Sequence, residues 1–177
     1  MKPLLSHVLR DHVLLGALAS LVMLPFYGWS GCALFFLANI LIDLDHYAFF
    51  LWKTRLRYWD PATMFRFFEE VHSRCYRPEF LVVEPIHTVE IFALLALGAF
   101  FGGGLFVPVF AGFFFHAVVD IIHLHRLRIL TKRCHSLIEY FWRSACQRRR
   151  GMDPAVIDQE AMAAAGLLPA AADVSIR

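Results

Sequence analysis

Charge is scarce in this chain. Asp, Glu, Lys and Arg together make up 18% of its 177 residues, while 59% are hydrophobic. Soluble domains carry about a quarter charged residues, so an ordinary soluble domain is excluded as the first reading. Cysteine is sparse as well. Cys32, Cys75, Cys134 and Cys146 show no C-x-x-C spacing, which excludes a disulfide framework. There is no Gly-rich phosphate loop and no G-x-S-x-G nucleophile elbow. No internal repeat stands out, and no nucleic-acid partner is expected.

The N-terminal stretch also lacks an A-x-A cleavage site, although a basic start precedes an apolar run. Trp29-Ser30-Gly31-Cys32 only faintly resembles a lipoprotein site, with Trp where Leu is usual. Residues 1–30 are therefore expected to remain as a first transmembrane helix.

Apolar residues are abundant. There are 18 Phe, and the mean hydropathy is +0.56. Long apolar runs separated by basic segments predict an all-α integral membrane protein with four transmembrane helices. The expected spans are Val13–Trp29, Gly31–Trp52, Leu81–Phe101 and Leu105–Leu124, with a turn at Gly28–Gly31 and a break at Gly102–Gly104. Residues 1–125 then form one transmembrane domain.

Asp60-Pro61 reads as an N-cap followed by proline at the first helical position. Met64, Phe67, Phe68, Val71 and Cys75 follow at helical spacing, so residues 61–76 predict an interfacial amphipathic helix. Residues 126–150 form a basic amphipathic segment with a stripe from Leu127 to Ala145, a second surface-lying helix. Residues 151–177 are expected to be a loosely ordered tail. Lys and Arg concentrate in 53–77 and 126–150, so the positive-inside rule places both termini in the cytoplasm.

Ionisable residues inside the apolar runs require a reason, because hydrocarbon makes charge expensive. They are Asp43, Asp45 and His46, then His87 and Glu90, then His116, Asp120 and His123. With the orientation above, all lie toward the cytoplasmic side, together with His7 and His12 before the first span. Asp43 and His46 are three apart, as are His87 and Glu90, while His116 and Asp120 are four apart. Each pair therefore shares a helix face. Asp45 lies about 200° from Asp43 on a regular helix. It joins only if the helix is distorted, faces a second ion or supports another ligand.

Imidazole and carboxylate are ligands for a divalent transition metal, zinc ahead of manganese or iron. The candidate ligands are Asp43, Asp45, His46, His87, Glu90, His116 and Asp120, with His7, His12 and His123 as additional candidates. This number exceeds the need of one tetrahedral ion, so one or two ions are expected, about 3.5–4 Å apart if two. Glu90 and Asp45 are the candidate catalytic groups. Arg55, Arg57 and Arg126 would attract an anionic headgroup. His72 and His135 read as solvated.

At these residues the chain resembles the bacterial inner-membrane family of membrane-bound metal-dependent hydrolases. The resemblance rests on Asp43-Leu44-Asp45-His46, Ile86-His87-Thr88 and His116-Ala117-Val118-Val119-Asp120, and covers roughly residues 5–125. It implies a multi-pass protein of the bacterial inner membrane, with an early His matched by His7 or His12. The family commonly has a further His where this chain has Val82, and Glu90 is expected to stand in.

The resulting expectation is a hydrolase acting at the cytoplasmic leaflet on a lipid-linked or amphipathic (phospho)ester. Two other classes use the same residues. One is a metal-stabilised structural or adaptor subunit that docks a protein partner through its amphipathic segments. The other is a divalent-cation or proton transport component. The outer halves of the spans, Leu34–Ala38, Leu94–Phe100 and Phe106–Ala111, carry no ionisable residue to continue a transport path.

Overall fold

The computed structural model describes residues 4–167, with side chains from residue 10 onward. It is mainly helical. Helix α1 (Leu4–Val22) turns at Met23 into α2 (Leu24–Leu41), and α3 (Leu44–Lys53) continues after a short break. Helix α4 (Pro61–Ser73) is followed by a two-residue strand β1 (Val82–Val83) and a 3-10 turn (Pro85–His87). Then come α5 (Val89–Gly102), α6 (Phe106–Arg126), strand β2 (Arg133–Cys134), α7 (Leu137–Arg149) and α8 (Ala155–Ala164).

Two stretches are long and apolar enough to cross a membrane, Leu24–Lys53 and Phe106–Arg126. The turn expected at Gly28–Gly31 falls at Met23 instead. Pro25 opens α2 rather than ending the preceding helix, because its missing N–H is unneeded in a first helical turn. Gly28 interrupts α2 at φ 63°, a conformation open mainly to glycine. The expected third span is shorter than the apolar run. Residues 81–88 are taken by β1 and the 3-10 turn, where Pro85 cannot donate to a helix. The remaining helix α5 has 14 residues. That is about 21 Å, against about 30 Å for a hydrocarbon core.

Two close approaches hold the long helices together. A Cβ on Gly16 of α1 would lie 2.3 Å from Asn39 Nδ2, and one on Gly112 of α6 would lie 2.3 Å from the Phe35 carbonyl oxygen of α2. The outward faces of these helices are apolar. Leu18, Val22, Phe26, Leu94, Phe100 and Phe101 are all more than half exposed.

The remaining elements form a conventional hydrophobic core. Asp60 caps α4 by accepting from the Thr63 N–H at 2.8 Å. The helix then buries Phe67, Phe68 and Val71 against Phe50, Ile129, Ile157 and Ala161. The expected interfacial helix thus has its apolar face covered by protein, not lipid. The covering element is α8, from the region expected to be a loose tail. Small Ala residues let α8 approach closely, and Ile157 and Ala161 are fully buried. Acidic residues on α8 also pair with the basic loop. Asp158 lies 2.6 Å from Lys53, and Glu160 pairs with Arg74 and Arg77. Residues 168–177 of that tail lie outside the described residues. Within the basic 126–150 segment, α7 leaves Ile138, Phe141 and Trp142 exposed on one face.

Candidate metal centre

The site forms where α2 gives way to α3. Asp43 sits at the cap position of α3, yet its carboxylate makes no capping hydrogen bond. It faces inward to three histidines. His116 Nε2 is 3.3 Å from Asp43 Oδ1, His87 Nε2 is 3.7 Å from the same oxygen, and His12 Nδ1 is 3.8 Å from Oδ2. Asp120 completes the arrangement from α6. Its Oδ1 is 3.4 Å from His12 Nε2 and 3.7 Å from His116 Nε2, and its Oδ2 is 3.7 Å from His87 Nε2.

All three imidazoles are buried, with side-chain exposure of 2% for His12, 1% for His87 and 0% for His116. Both ring nitrogens of His12, and the Nε2 atoms of His87 and His116, have no hydrogen-bond partner. Buried polar atoms are normally satisfied, so four such nitrogens converging on two carboxylates are unusual. At 3.3–3.8 Å the contacts lie at or beyond the long end of hydrogen-bond distances. The spacing suits ligand atoms arranged around a cation, since two ligands about 2.1 Å from a tetrahedral ion lie about 3.4 Å apart. Among the described residues, three overlapping groups could hold an ion: His12–His116–Asp120, Asp43–His87–His116 and Glu84–His87–Asp120.

Each imidazole is aimed by its surroundings. His116 Nδ1 lies 2.7 Å from the Asn39 carbonyl oxygen, which accepts its proton and leaves Nε2 free. The Gly112–Phe35 approach brings these two atoms together. Asn39 also fixes α1, its Nδ2 donating to the His12 carbonyl at 3.1 Å. His87 Nδ1 lies 3.0 Å from Asp45 Oδ2, which also accepts from the Ile86 N–H at 3.1 Å. Asp45 therefore stands behind His87 and orients it. This explains how Asp45, pointing away from Asp43, still belongs to the arrangement.

Arg133 secures the carboxylates. The short parallel pairing of β1 with β2 aligns Val82 with Arg133. The guanidinium then donates to Asp120 Oδ2 at 2.6 Å and pairs with Glu84. Burial opposes the charge on Arg133, but Glu84 and Asp120 outweigh it and raise its pKa above the ordinary value. Asp43, Asp45, Glu84 and Asp120 against one guanidinium leave three net negative charges when the histidines are neutral. A divalent cation would offset most of that excess.

The other expected site residues are placed differently. Glu90 faces away from the cluster. Its carboxylate accepts from Ser136 Oγ at 2.6 Å and from the Leu137 N–H at 3.1 Å, where it serves the start of α7. The reason is that the helix begins only at Val89, so the helical spacing to His87 does not apply. His46 lies at the margin, 3.6 Å from Asp43 Oδ1 and 3.5 Å from Glu84 Oε1, with 27% of its side chain exposed. His123 is near Asp11, at 3.9 Å, and contributes to none of the three groups. The side chain of His7 lies outside the described residues. Arg55, Arg57 and Arg126 are exposed and line none of the cavities that touch the cluster residues; Arg133 lines two of them. His72, expected to be solvated, is half-buried, with Nδ1 2.8 Å from the Phe68 carbonyl oxygen. His135 is half-buried too.

Sequence reasoning passed over Glu84, Arg133 and Asn39. Glu84 was hidden by reading its segment as the start of a span. The Glu84-Pro85 step, which disfavours a helix, was the available signal. Arg133 looked like one more residue of a basic segment.

Two cavities reach Asp120 and Arg133. One, of about 180 Å³, lies under α4 and is lined by His12, Asp43, His46, Glu84, Asp120 and Arg133 among others. The other, of about 630 Å³, is an apolar cleft between α5 and α6 that ends on His87, Asp120 and Arg133.

Compared with family models, curated proteins and solved structures, the chain finds no match.

Proposed function

We propose that this chain is a membrane-embedded metal-dependent hydrolase acting on a lipid-linked or amphipathic (phospho)ester at the cytoplasmic leaflet. One observation carries the reading: the unpartnered nitrogens of His12, His87 and His116 converge on Asp43 and Asp120 at 3.3–3.8 Å. The apolar exteriors of α1, α2, α5 and α6 support a bundle of four crossing elements, with α5 the short one. Aromatic residues stand near both ends of α2–α3, Tyr27 and Trp29 at one and Trp52 and Trp59 at the other, as interfacial anchors do. The concentration of Lys and Arg beyond the cluster supports a cytoplasmic location for that end and for both termini.

In this proposal His12, Asp43, His87, His116 and Asp120 hold one or two divalent ions, zinc being the best match to nitrogen and carboxylate ligands. A divalent ion bound there supplies Lewis-acid polarisation of the substrate and lowers the pKa of water. Asp45 keeps His87 in the tautomer that presents Nε2. Arg133 holds Asp120 and Glu84 in place and keeps their charges compensated. Glu84 and His46 take over the proton-handling role expected of Glu90 and Asp45. Both line the smaller cavity, where Glu84 would accept a proton from the attacking water and protonated His46 would donate its own proton to the leaving group.

Access favours this reading over a purely structural ion, because structural sites are closed, whereas this cluster borders two cavities. The experiment is elemental analysis of the purified protein beside its Asp43→Asn and His116→Ala variants, followed by a phosphoester and lipid screen. We expect about one or two ions per chain in the wild type, loss in both variants, and metal-dependent turnover. A wild-type protein without metal would end the hydrolase reading.

A further inference from the structure

We propose that the cleft between α5 and α6 is a binding site for a single hydrocarbon chain whose anionic head reaches Arg133. This deepens the hydrolase reading and rests on it for the reaction, though not for the binding. The cleft is shaped by residue size. Ala93 and Ala96 on α5 face Ala117 on α6, and these small side chains leave the space between the helices unfilled. At the far end the helices meet. A Cβ on Gly98 would lie 2.9 Å from the Phe106 ring and one on Gly102 would lie 2.8 Å from it, so that ring closes the cleft.

The lining residues run from Val89 to Ala96 on α5 and from Phe110 to Leu124 on α6, about 10 Å and about 21 Å along the two axes, room for a medium-length alkyl chain. The cleft volume of about 630 Å³ falls in the range of small-molecule sites. No residue of α5 is fully buried, so the helix leaves one face free for a ligand.

The polar end shows why a lipid with an anionic head fits better than plain hydrocarbon. His87 and Arg133 are more than nine-tenths buried, and both line the cleft. Arg133 Nε, a donor, lacks a hydrogen-bond partner. Arg133 supplies positive charge and a free N–H donor at the point where the apolar walls stop. A chain in the cleft would therefore deliver its head to the cluster. The smaller cavity under α4 would serve water and the departing group from the other side.

The test uses the full chain in lipid nanodiscs and a dodecyl phosphate carrying a terminal diazirine, with adducts mapped by mass spectrometry. Saturable adducts on Phe92, Ala96 or Phe110, competed by plain dodecyl phosphate, are expected. Ala96→Phe should reduce capture about tenfold, the equivalent of excluding two methylenes. Ala117→Leu narrows the cleft from α6 and should act in the same direction. If neither variant folds, the wild-type adduct map decides alone. Unsaturable adducts, or adducts spread over the exposed leucines of α1 and α2, overturn the proposal. Equal capture of the corresponding alcohol overturns the role of the anionic head. Asp43→Asn separates the two readings. Its cleft adducts should persist although metal and turnover are lost, and their loss overturns a chain site independent of the metal. In the wild type, cleft adducts without metal or turnover leave the chain site standing while the hydrolase reading fails, and turnover without cleft adducts overturns the chain site alone.

Discussion

The two ends of this molecule are built on opposite plans. Around α1, α2, α5 and α6, apolar side chains face outward and the buried groups near the end of the bundle are His12, Asn39, His87 and His116. Around α4 and α8, Phe67, Val71, Ile157 and Ala161 face inward, and charged residues such as Arg74 and Glu160 face outward. The second plan follows from water as solvent, where apolar burial is the main stabilising term. The first plan loses that term when its exterior meets hydrocarbon, so close helix packing and polar contacts must hold it together. The candidate metal centre sits at the junction. Residues from the inverted end supply its imidazoles, and the strand pair beneath α4 supplies the guanidinium that restrains its carboxylates.

Removing Arg133 attacks the junction itself. Arg133→Met should destabilise by about 3–5 kcal/mol, because Asp120 and Glu84 remain buried without their partner. Thermal unfolding in detergent, followed beside metal content, reads both consequences. An unchanged midpoint would mean that solvent, not Arg133, compensates the carboxylates.

The conventional core responds to a different change. Ile157→Ala should cost about 2–5 kcal/mol from lost burial and the cavity left behind. The expected sign is proteolysis within α8 while metal content stays at the wild-type level. Loss of metal as well would show that the two plans are not separable.

The inverted end is best tested at its closest approach. Gly112→Ala places a Cβ 2.3 Å from the Phe35 carbonyl oxygen, so α2 and α6 must separate. Overpacking of this kind costs about 1–3 kcal/mol, and it moves the Asn39 carbonyl away from His116. Weaker metal binding should accompany the loss, measured by competition with a chelator. Unaltered affinity would remove Asn39 from the account of how His116 is aimed.

The smallest effect is expected at Asp60. Its hydrogen bond with Thr63 lowers its carboxyl pKa below the ordinary 3.8. The stabilisation is therefore fully present above the unfolded value and fades as pH falls through the lower folded one. Asp60→Ala should fray the start of α4 at neutral pH and abolish that acid-side dependence. Hydrogen exchange at Thr63 and Met64 across pH 2–5 reports it. The same fraying in wild type and variant at pH 5 would show that the cap contributes nothing.

Much of the local structure was legible. Asp60-Pro61 marks the start of α4, and the spacing of Phe67, Phe68 and Val71 marks its buried face. His116 and Asp120, four apart, meet on one side of α6, and Asp43-Leu44-Asp45-His46 pointed to a site inside an apolar run. These signals are short-range, so periodicity carries them. What covered α4 was not legible, since an amphipathic helix looks the same whether its apolar face meets lipid or protein. Neither was the docking of α8, whose Ala-rich sequence has little pattern of its own. Glu90 was misplaced because helical spacing was extended through Pro85, where the backbone is not helical.

By itself, then, the sequence determined an apolar helical chain with histidines and carboxylates gathered toward one side of its long helical spans. Helix periodicity and the cost of charge in hydrocarbon are enough to dictate that. Tertiary structure alone decided which of them meet. His12, Asp43, His87, Asp120 and Arg133 come from separate segments. They converge only through the Gly16 and Gly112 approaches and the pairing of β1 with β2, contacts between residues far apart in the chain that no local pattern encodes.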